Sequence, residues 1–297
     1  GQCRFRGNAF FQKSGPSVVL RSIPREIPSL DELGLPVDIG QGLMEWHQGL
    51  VLVTGPTGSG KSTTLASLID AINTKHRCHI ITIEDPVEYW MEDILQMQVH
   101  EEIGFTFARA LRGMLRHDPD VMLVGEIRDQ ETAEIAIKAA QTGHLVLSTL
   151  HTNDAPTTLE RLRNMGVAPF NIASSVILIT AQRLARRLCS CKQPMDIPHD
   201  VLIEAGFTEA DLDGSWKPYG PIGCDKCKGS GYKGRVGIYQ VMPVTDAIGQ
   251  IIMEGGNAAD IEKQAENEGV IDLREAGLEK MRAGVLSLAE VNRVTVD

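Results

Sequence analysis

The sequence predicts an α/β fold whose central sheet is covered by helices on both faces. From residue 49 onward, apolar segments of strand length alternate with amphipathic segments of helix length. A glycine-rich loop joins the first of these strands to the helix that follows. Apolar residues make up 42% of the chain and aromatic residues 5%, which is typical of an ordered α/β protein. Together these observations indicate a nucleotide-binding core of the RecA-like kind.

Residues 1–40 are predicted to contain two strands and one short helix. We expect the strands at residues 3–11 and 17–23, and a capping box formed by Ser29 and Glu32 indicates the start of the helix. Two strands are too few to be stable alone. We therefore interpret this segment, which starts with Gly rather than Met, as the remnant of an N-terminal α+β domain with its linker.

The RecA-like core is predicted to span residues 41–188. We expect strands at residues 51–54, 79–83, 95–99, 121–124 and 145–150. Helices are expected at residues 61–73, 106–116, 130–142, after residue 154, and over 170–188. The most apolar part of the last helix, residues 172–181, is about half of the ~20 residues needed to cross a bilayer. It is therefore interpreted as a buried helix, and no membrane-spanning segment is predicted.

Two further segments follow the core. Residues 189–235 contain two cysteine pairs and several prolines, and they are predicted to form an excursion from the core. Residues 236–297 are predicted to form a mostly helical C-terminal subdomain, in which Ser287 and Glu290 make a second capping box.

Residues 55–62 read Gly-Pro-Thr-Gly-Ser-Gly-Lys-Ser, between an apolar strand and a helix. In this context the pattern indicates a phosphate-binding loop, whose backbone N–H groups and helix start favour a bound phosphate. Lys61 is expected to reach the β- and γ-phosphates, and Ser62 to ligate Mg²⁺. A plain glycine-rich turn is the alternative. The predicted nucleotide-binding residues are Gly55, Pro56, Thr57, Gly58, Ser59, Gly60, Lys61, Ser62 and Thr63.

Two acidic segments follow predicted strands, at the sheet edge where α/β proteins bind ligands. Glu84 ends the second core strand. Glu126 follows Gly125, which occupies the position where a Walker B segment usually has its aspartate. Either glutamate is a candidate to orient or deprotonate the attacking water, and Glu126 is also expected near Mg²⁺, directly or through water. The alternative is that these are ordinary solvated loop acids.

Two histidines bracket the strand at 145–150. His144 and His151 are seven residues apart, so they cannot both contact one phosphate. His151 lies at the carboxyl end, on the nucleotide side, and is predicted to sense the γ-phosphate. The alternative for each is a histidine that is hydrogen-bonded at a strand end.

The cysteine pairs have metal-ligand spacing. Cys189 and Cys191 form a Cys-x-Cys pair, and Cys224 and Cys227 form a Cys-x-x-Cys pair. Two such pairs predict a closed, structural zinc site with four thiolates. Four free thiols and redox chemistry are the alternatives. The remaining cysteines, at positions 3 and 78, are expected to be buried.

Four ordered motifs resemble those of the hexameric secretion ATPases of type IV pilus and type II secretion systems. They are the phosphate loop, the aspartate box at residues 84–88, the Walker B segment at 125–129 and the histidine box at 143–151. Residues 182–189 and the C-terminal half are similar to the pilus assembly ATPases. Residues 3–35 are similar to the retraction ATPases.

The resemblance implies a function and a set of partners. It implies hydrolysis of ATP with Mg²⁺ between one subunit's core and a neighbouring N-terminal domain, in a cytoplasmic homo-hexamer. This motor would act on a platform protein at the bacterial inner membrane, in pilus assembly or type II secretion, or alternatively in retraction. Arg6 and Arg21 fall on the positions of the family's arginine fingers, although by sequence alone they would be ordinary surface arginines.

Two other functional classes remain as alternatives. A nucleic-acid translocase on the same core is disfavoured by the net charge of −10, because proteins that bind nucleic acids usually show a basic footprint. The chain also lacks an aromatic and basic segment suited to binding single strands. The other class is a nucleotide-gated binding module without useful hydrolysis.

Overall fold

The computed structural model describes residues 4–23, 26–36, 39, 42 and 45–295. It begins with an antiparallel hairpin of β1 (Arg4–Gln12) and β2 (Gly15–Ile23). The two predicted strands are therefore confirmed, although Cys3 lies outside the described residues. A helical turn, α1 (Leu30–Leu33), begins at the predicted capping box of Ser29 and Glu32. The hairpin exposes large apolar side chains on its surface, among them Phe5, Phe11 and Leu20.

A seven-stranded sheet forms the centre of the molecule, in the order β11-β8-β3-β7-β6-β4-β5. All neighbouring strands are parallel except β8 and β11, which are antiparallel. The strands are β3 (Gly49–Thr54), β4 (Ile80–Glu84), β5 (Leu95–Gln98), β6 (Val121–Val124), β7 (Leu145–Leu150), β8 (Val176–Leu188) and β11 (Tyr232–Pro243). This mainly parallel sheet confirms the predicted α/β class.

Helices cover both faces of the sheet, as predicted. The core helices are α2 (Lys61–Lys75), α3 (Phe107–Met114), α4 (Gln130–Gln141), α5 (Ala155–Asn164) and α6 (Pro169–Ser175). Because side chains alternate along a strand, Val51 and Val53 pack with α2 on one face, while Leu50 and Leu52 belong to the core on the other. These four strand residues are fully buried.

The predicted long helix over 170–188 is wrong. Helix α6 ends at Ser175, and β8 begins at Val176 and runs antiparallel to β11. The start of β8 reads Val-Ile-Leu-Ile-Thr, and the four β-branched residues among these five favour a strand. The first half of β8 is buried on both faces, so it shows none of the polar–apolar alternation that distinguishes a strand from a buried helix.

The C-terminal segment is helical only after a strand that the sequence did not reveal. β11 completes the central sheet beside β8, across the predicted boundary at residue 235. The chain between these strands holds a short pair, β9 (Gln193–Pro194) and β10 (Tyr219–Gly220), and helix α7 (His199–Ala205). The tail then contains α8 (Asp246–Met253), α9 (Ala258–Asn267), α10 (Leu273–Arg282) and α11 (Leu288–Thr295).

One buried charge attaches α11 to the sheet. The side chain of Glu290 is fully buried and accepts hydrogen bonds from the backbone N–H (2.7 Å) and Nη2 (2.8 Å) of Arg186. Arg293 donates to the same carboxylate. Burial alone would raise the pKa of Glu290, but the hydrogen bonds from Arg293 and Arg186 outweigh it and lower the pKa to about 2.

Replacing this carboxylate is expected to destabilise the fold in a pH-dependent way. A pKa that falls from 4.5 to about 2 on folding corresponds to about 3 kcal/mol of stability when the group is ionised. We expect Glu290→Gln to lower the free energy of unfolding by about this amount at pH 7. The difference from the wild type should shrink as the pH falls from about 4.5 towards 2, because over this range the carboxyl of the unfolded chain takes up a proton while the native carboxylate stays ionised until about pH 2.

Urea denaturation of the wild type and the variant, measured at pH 7 and in acid, checks this expectation. The exposed Glu279 in α10 provides a matched control, and Glu279→Gln should leave the stability nearly unchanged. Equal losses in the two variants would contradict the role assigned to the buried carboxylate.

Candidate functional site

A cavity of about 710 Å³ opens at the carboxyl ends of the parallel strands, between the core and the β1–β2 hairpin. It brings together the phosphate loop and most of the residues that the sequence singled out. They are Arg6, Arg21, Thr57, Gly58, Ser59, Gly60, Lys61, Ser62, Thr63, Glu84, Glu126 and His151. Gly55 and Pro56 precede this group in the same loop. The cavity has the position expected for a ligand site in an α/β sheet.

The phosphate loop has the conformation that its glycines allow. Gly55 has φ of 144°, and a Cβ there would lie 2.5 Å from the carbonyl oxygen of Gln182, so a larger residue would be strained and would clash. The loop leads directly into α2, which begins at Lys61. Lys61 is buried, and its Nζ donates to the carbonyl of Gly55 at 2.8 Å and to that of Pro56 at 3.1 Å. Burial lowers the pKa of this ammonium.

Gln182 supports the loop from the neighbouring strand. Its side chain is buried on β8, and its Nε2 donates to the carbonyl of Ser59 at 2.7 Å. Its Oε1 and the Ser59 hydroxyl are buried and have no hydrogen-bond partner among the described residues. Sequence reasoning did not assign Gln182 to the site. The signal for it was a glutamine directly after the mostly apolar run of residues 176–181, which indicates a buried amide with a specific partner.

Glu84 ends β4 in a mostly enclosed position. Its Oε1 accepts hydrogen bonds from Thr82 Oγ1 at 2.8 Å and from Gln96 Nε2 at 3.2 Å. Burial raises the pKa of this carboxyl, and the hydrogen bonds from Thr82 and Gln96 offset part of that increase. A carboxylate with a raised pKa, held beside a phosphate loop, has the properties required of a general base.

Glu126 and His151 lie together in the cavity. His151 Nε2 is 3.6 Å from a carboxylate oxygen of Glu126, and Arg128 forms an ion pair with the same glutamate. Burial lowers the pKa of His151, and the positive charge of Lys61 lowers it further. The imidazole is therefore neutral at pH 7 and able to accept or donate a hydrogen bond. The structure thus places Glu126, His151 and Lys61 in one electrostatic group.

His144 occupies the opposite end of β7. Its Nδ1 lies 3.0 Å from the carbonyl of Ala139 and 3.3 Å from the hydroxyl of Thr142, at the end of α4. It does not line the cavity formed by the described residues. The two histidines are therefore separated as predicted, and His144 has the contacts of a strand-end histidine.

Arg6 and Arg21 face each other across the hairpin and both line the cavity. Neither side chain forms a hydrogen bond or ion pair with another described residue. The family resemblance implies that the nucleotide lies between one subunit's core and a neighbouring N-terminal domain, and this stays a prediction. Within the single chain described, the hairpin lies over its own core, and the pair lines the cavity of that core.

The four paired cysteines converge at the base of the β8–β11 excursion. The sulfur atoms of Cys189, Cys191, Cys224 and Cys227 all lie within 4.8 Å of one another. The Cys189–Cys224 and Cys191–Cys227 sulfurs are 3.9 Å apart, and the Cys224–Cys227 sulfurs are 3.7 Å apart. Tetrahedral zinc with Zn–S bonds of about 2.3 Å requires sulfurs about 3.8 Å apart. The cluster is thus consistent with four-thiolate coordination, whereas Cys78 is half-buried and outside it.

Comparison with known proteins agrees with this geometry. The family model described as "Type II/IV secretion system protein" matches residues 1–293. The chain belongs to this secretion ATPase family. A crystal structure of the pilus retraction motor PilT with bound ADP superimposes with a TM-score of 0.75 at 34% identity, covering 99% of this chain and 74% of that one.

Curated relatives extend the match within the secretion ATPases. The type IV pilus assembly ATPase PilB of Acinetobacter baylyi is 53% identical over 298 residues, which cover 98% of this chain and 51% of the relative. The type II secretion system protein E of Klebsiella pneumoniae is 46% identical over 291 residues, which cover 95% of this chain and 56% of the relative. The chain therefore spans about half the length of the curated relatives that it matches. Among the described helices, none is long and apolar enough to cross a membrane.

Proposed function

We propose that this chain is the ATP-hydrolysing part of a motor that powers type IV pilus assembly or type II secretion. The observation that carries the proposal is the single cavity in which a phosphate loop, two acids and a pair of arginines meet. The names of relatives at 53% and 46% identity support the two biological settings.

The residues of the cavity have complementary roles in the proposed reaction. The loop N–H groups and Lys61 would bind the phosphates, and the Ser62 hydroxyl and Glu126, directly or through water, would hold Mg²⁺. Bound Mg²⁺ would neutralise phosphate charge and fix the geometry of the triphosphate. Glu84 accepts a proton as the water oxygen bonds to the γ-phosphorus and the bond to the β–γ bridging oxygen breaks, which releases ADP. His151 senses the γ-phosphate beside Glu126.

We propose that the arginine pair stabilises the transition state of hydrolysis. Negative charge is spread over the γ-phosphoryl oxygens as the bond to ADP breaks. The guanidinium groups of Arg6 and Arg21, on neighbouring strands of the hairpin, would neutralise that charge. Their position on a hairpin rather than in the core allows their distance from the phosphate to change, which is how hydrolysis would be coupled to movement.

We also propose that the four-cysteine cluster binds zinc as a structural site. Its sulfur–sulfur distances support tetrahedral thiolate coordination. Four thiolates leave no open position on the metal, so the zinc would secure the excursion between β8 and β11 and would take no part in the reaction.

The proposed motor is a homo-hexamer in the bacterial cytoplasm, working against a platform protein of the inner membrane. These expectations come from the family and its hexameric members. No nucleic acid is proposed as a partner, in keeping with the net charge of −10. Turnover that is unaffected by added DNA or RNA would support this choice over a translocase.

Pilus retraction is the second candidate, because the retraction motor PilT matches the whole fold. Complementation with the full-length gene separates the two. We expect it to restore pili or secretion in cells that lack the assembly or secretion ATPase. Restoration only in retraction-deficient cells would favour the second candidate.

Glu126→Gln is expected to retain ATP binding and to lower turnover by roughly 10²-fold or more, because the proposed Mg²⁺ ligand loses its charge and a metal ion supplies several kcal/mol of transition-state charge stabilisation. The amide keeps the shape of the side chain but removes the charge beside His151 and Lys61. Phosphate release from the purified protein measures this effect. Glu102→Gln, an exposed glutamate that does not line the cavity, is the matched control. Equal rates in wild type and Glu126→Gln would contradict the proposal, and a protein that binds ATP without any turnover would be a binding module.

A further inference from the structure

The hairpin that carries the arginine pair is joined to the core mainly by one side chain. Arg4 donates from Nη1 to the carbonyl of Glu88 and from Nη2 to the carbonyl of Val87, both at 3.0 Å. Among the described residues, these are the only hydrogen bonds between the hairpin and the rest of the chain. The Arg4 guanidinium also lies 4.5 Å from the ring centroid of Trp90.

Trp90 is an unusual surface residue that the proposed function leaves unexplained. Its side chain is 74% exposed, although a large aromatic side chain is normally placed where its area is buried. Its described ring contact is the cation–π contact with Arg4. Such a contact attracts the guanidinium to the face of the ring, and it holds the guanidinium plane in one orientation beside the two carbonyl groups.

The strand geometry connects Arg4 to the arginine pair. Arg4 and Arg6 are two residues apart in β1, so their side chains project from the same face. Arg21 is directly opposite Arg6 in the antiparallel register and shares that face. Fixing Arg4 on the core therefore fixes which face of the hairpin is turned towards the cavity.

The loop that Arg4 contacts is itself tied to the reacting groups. Gln96 Nε2 donates to the carbonyl of Tyr89 at 2.9 Å and to Glu84 at 3.2 Å. The hydroxyl of Tyr89 lies 3.1 Å from that of Thr63, in the first turn after the phosphate loop. One short segment thus contacts the hairpin, the candidate base and the helix of the phosphate loop.

We propose that Arg4 is a positioning residue, which clamps the hairpin to the loop after Glu84 and sets Arg6 and Arg21 over the phosphates, with Trp90 as its stacking partner. This inference rests on the proposed ATPase function. A two-stranded hairpin has little stability of its own. Loss of the clamp therefore displaces the arginine pair and leaves the folded core intact.

Kinetics of Arg4 variants test the clamp. We expect Arg4→Ala to lower kcat by about 10–100-fold, the scale of effect for misplaced catalytic groups, with ATP affinity and thermal stability close to those of the wild type. Arg4→Lys keeps the charge but loses the planar fork, and should give an intermediate rate. Lys13→Ala is the control, because Lys13 is an exposed hairpin cation without a hydrogen bond or ion pair to the described residues.

A double-mutant cycle separates positioning from a general effect on the fold. In a background that already carries Arg6→Ala and Arg21→Ala, Arg4→Ala should cause no further loss of kcat. An equal factor in both backgrounds, or an Arg4→Ala rate equal to that of Lys13→Ala, would overturn the proposal.

Fluorescence gives a readout that needs no turnover. The chain contains three tryptophans, so Trp46→Phe with Trp216→Phe leaves Trp90 as the only emitter. Arg4→Ala should increase quenching of Trp90 by acrylamide, and unchanged quenching would show that the clamp does not form. Absence of ATP hydrolysis in the wild type would instead remove the proposed function and this role of Arg4, while quenching would still report on the contact.

Discussion

Replacing both Arg6 and Arg21 with alanine is expected to lower the rate of ATP hydrolysis by ~10³–10⁵-fold, the range known for arginine fingers. ATP binding should be nearly intact, because the proposed phosphate contacts of Lys61 and the loop N–H groups remain. The two guanidiniums are proposed to act on negative charge that develops only as the bond to ADP breaks, so their loss should slow hydrolysis without weakening ATP binding. Phosphate release and nucleotide titration of the same samples measure the two effects separately.

A control pair and a mixing experiment make this test specific. Lys75 and Arg77 are exposed cations at the far end of α2, away from the cavity, and their replacement with alanine should leave turnover unchanged. Because the hairpin lies over the phosphate loop of its own chain, mixing an Arg6/Arg21 double variant with a Lys61→Ala variant should not restore activity. Restored activity would show that the arginines act on a neighbouring subunit.

Loss of one thiolate from the four-cysteine cluster is expected to have the largest effect on stability. Cys227 is buried, and its sulfur accepts hydrogen bonds from the backbone N–H groups of Cys224 at 3.1 Å and Gly231 at 3.3 Å. Structural zinc typically contributes ~10–16 kcal/mol to folding, so Cys227→Ser should release the metal and unfold the excursion between β8 and β11. Metal analysis and limited proteolysis of the purified variant measure both effects.

Cys78→Ser is the matched control for this variant, because Cys78 is half-buried and outside the cluster. The wild type and the control should each contain one zinc per chain. Clearly less than one zinc in the wild type, together with equal protease resistance of the two serine variants, would remove the zinc assignment.

The phosphate loop and its surroundings were predictable because local chemistry determines them. A glycine-rich loop between a strand and a helix leaves few conformations, and Lys61 begins α2 as expected. Glu84 and Glu126 line the same cavity because parallel strands place their carboxyl ends at one edge of the sheet. The convergence of the four cysteines was predictable from their spacing in two pairs, which is typical of the ligands of a structural metal site.

The remaining features depend on contacts between segments distant in sequence. The sequence predicts a helix in place of β8 because this strand is buried on both faces and shows no polar–apolar alternation. It does not reveal β11, which is stabilised as a strand by its pairing with β8. The role of Gln182 in the site was not predictable because its hydrogen-bond partner, Ser59, lies 123 residues away in the chain. Arg4 contacts carbonyl groups 83 and 84 residues along the chain. No local pattern distinguishes it from an exposed arginine.

Every proposed role of the cavity residues depends on the binding of ATP with Mg²⁺ above residues 55–62. Calorimetric titration of the purified protein with ATP and Mg²⁺ tests it most directly. We predict saturable binding in the wild type and its loss in Lys61→Ala, because that variant lacks the ammonium proposed to contact the phosphates. A well-folded wild-type protein that binds no ATP–Mg²⁺, or a Lys61→Ala variant that binds it equally well, would show that this cavity is not an ATP site.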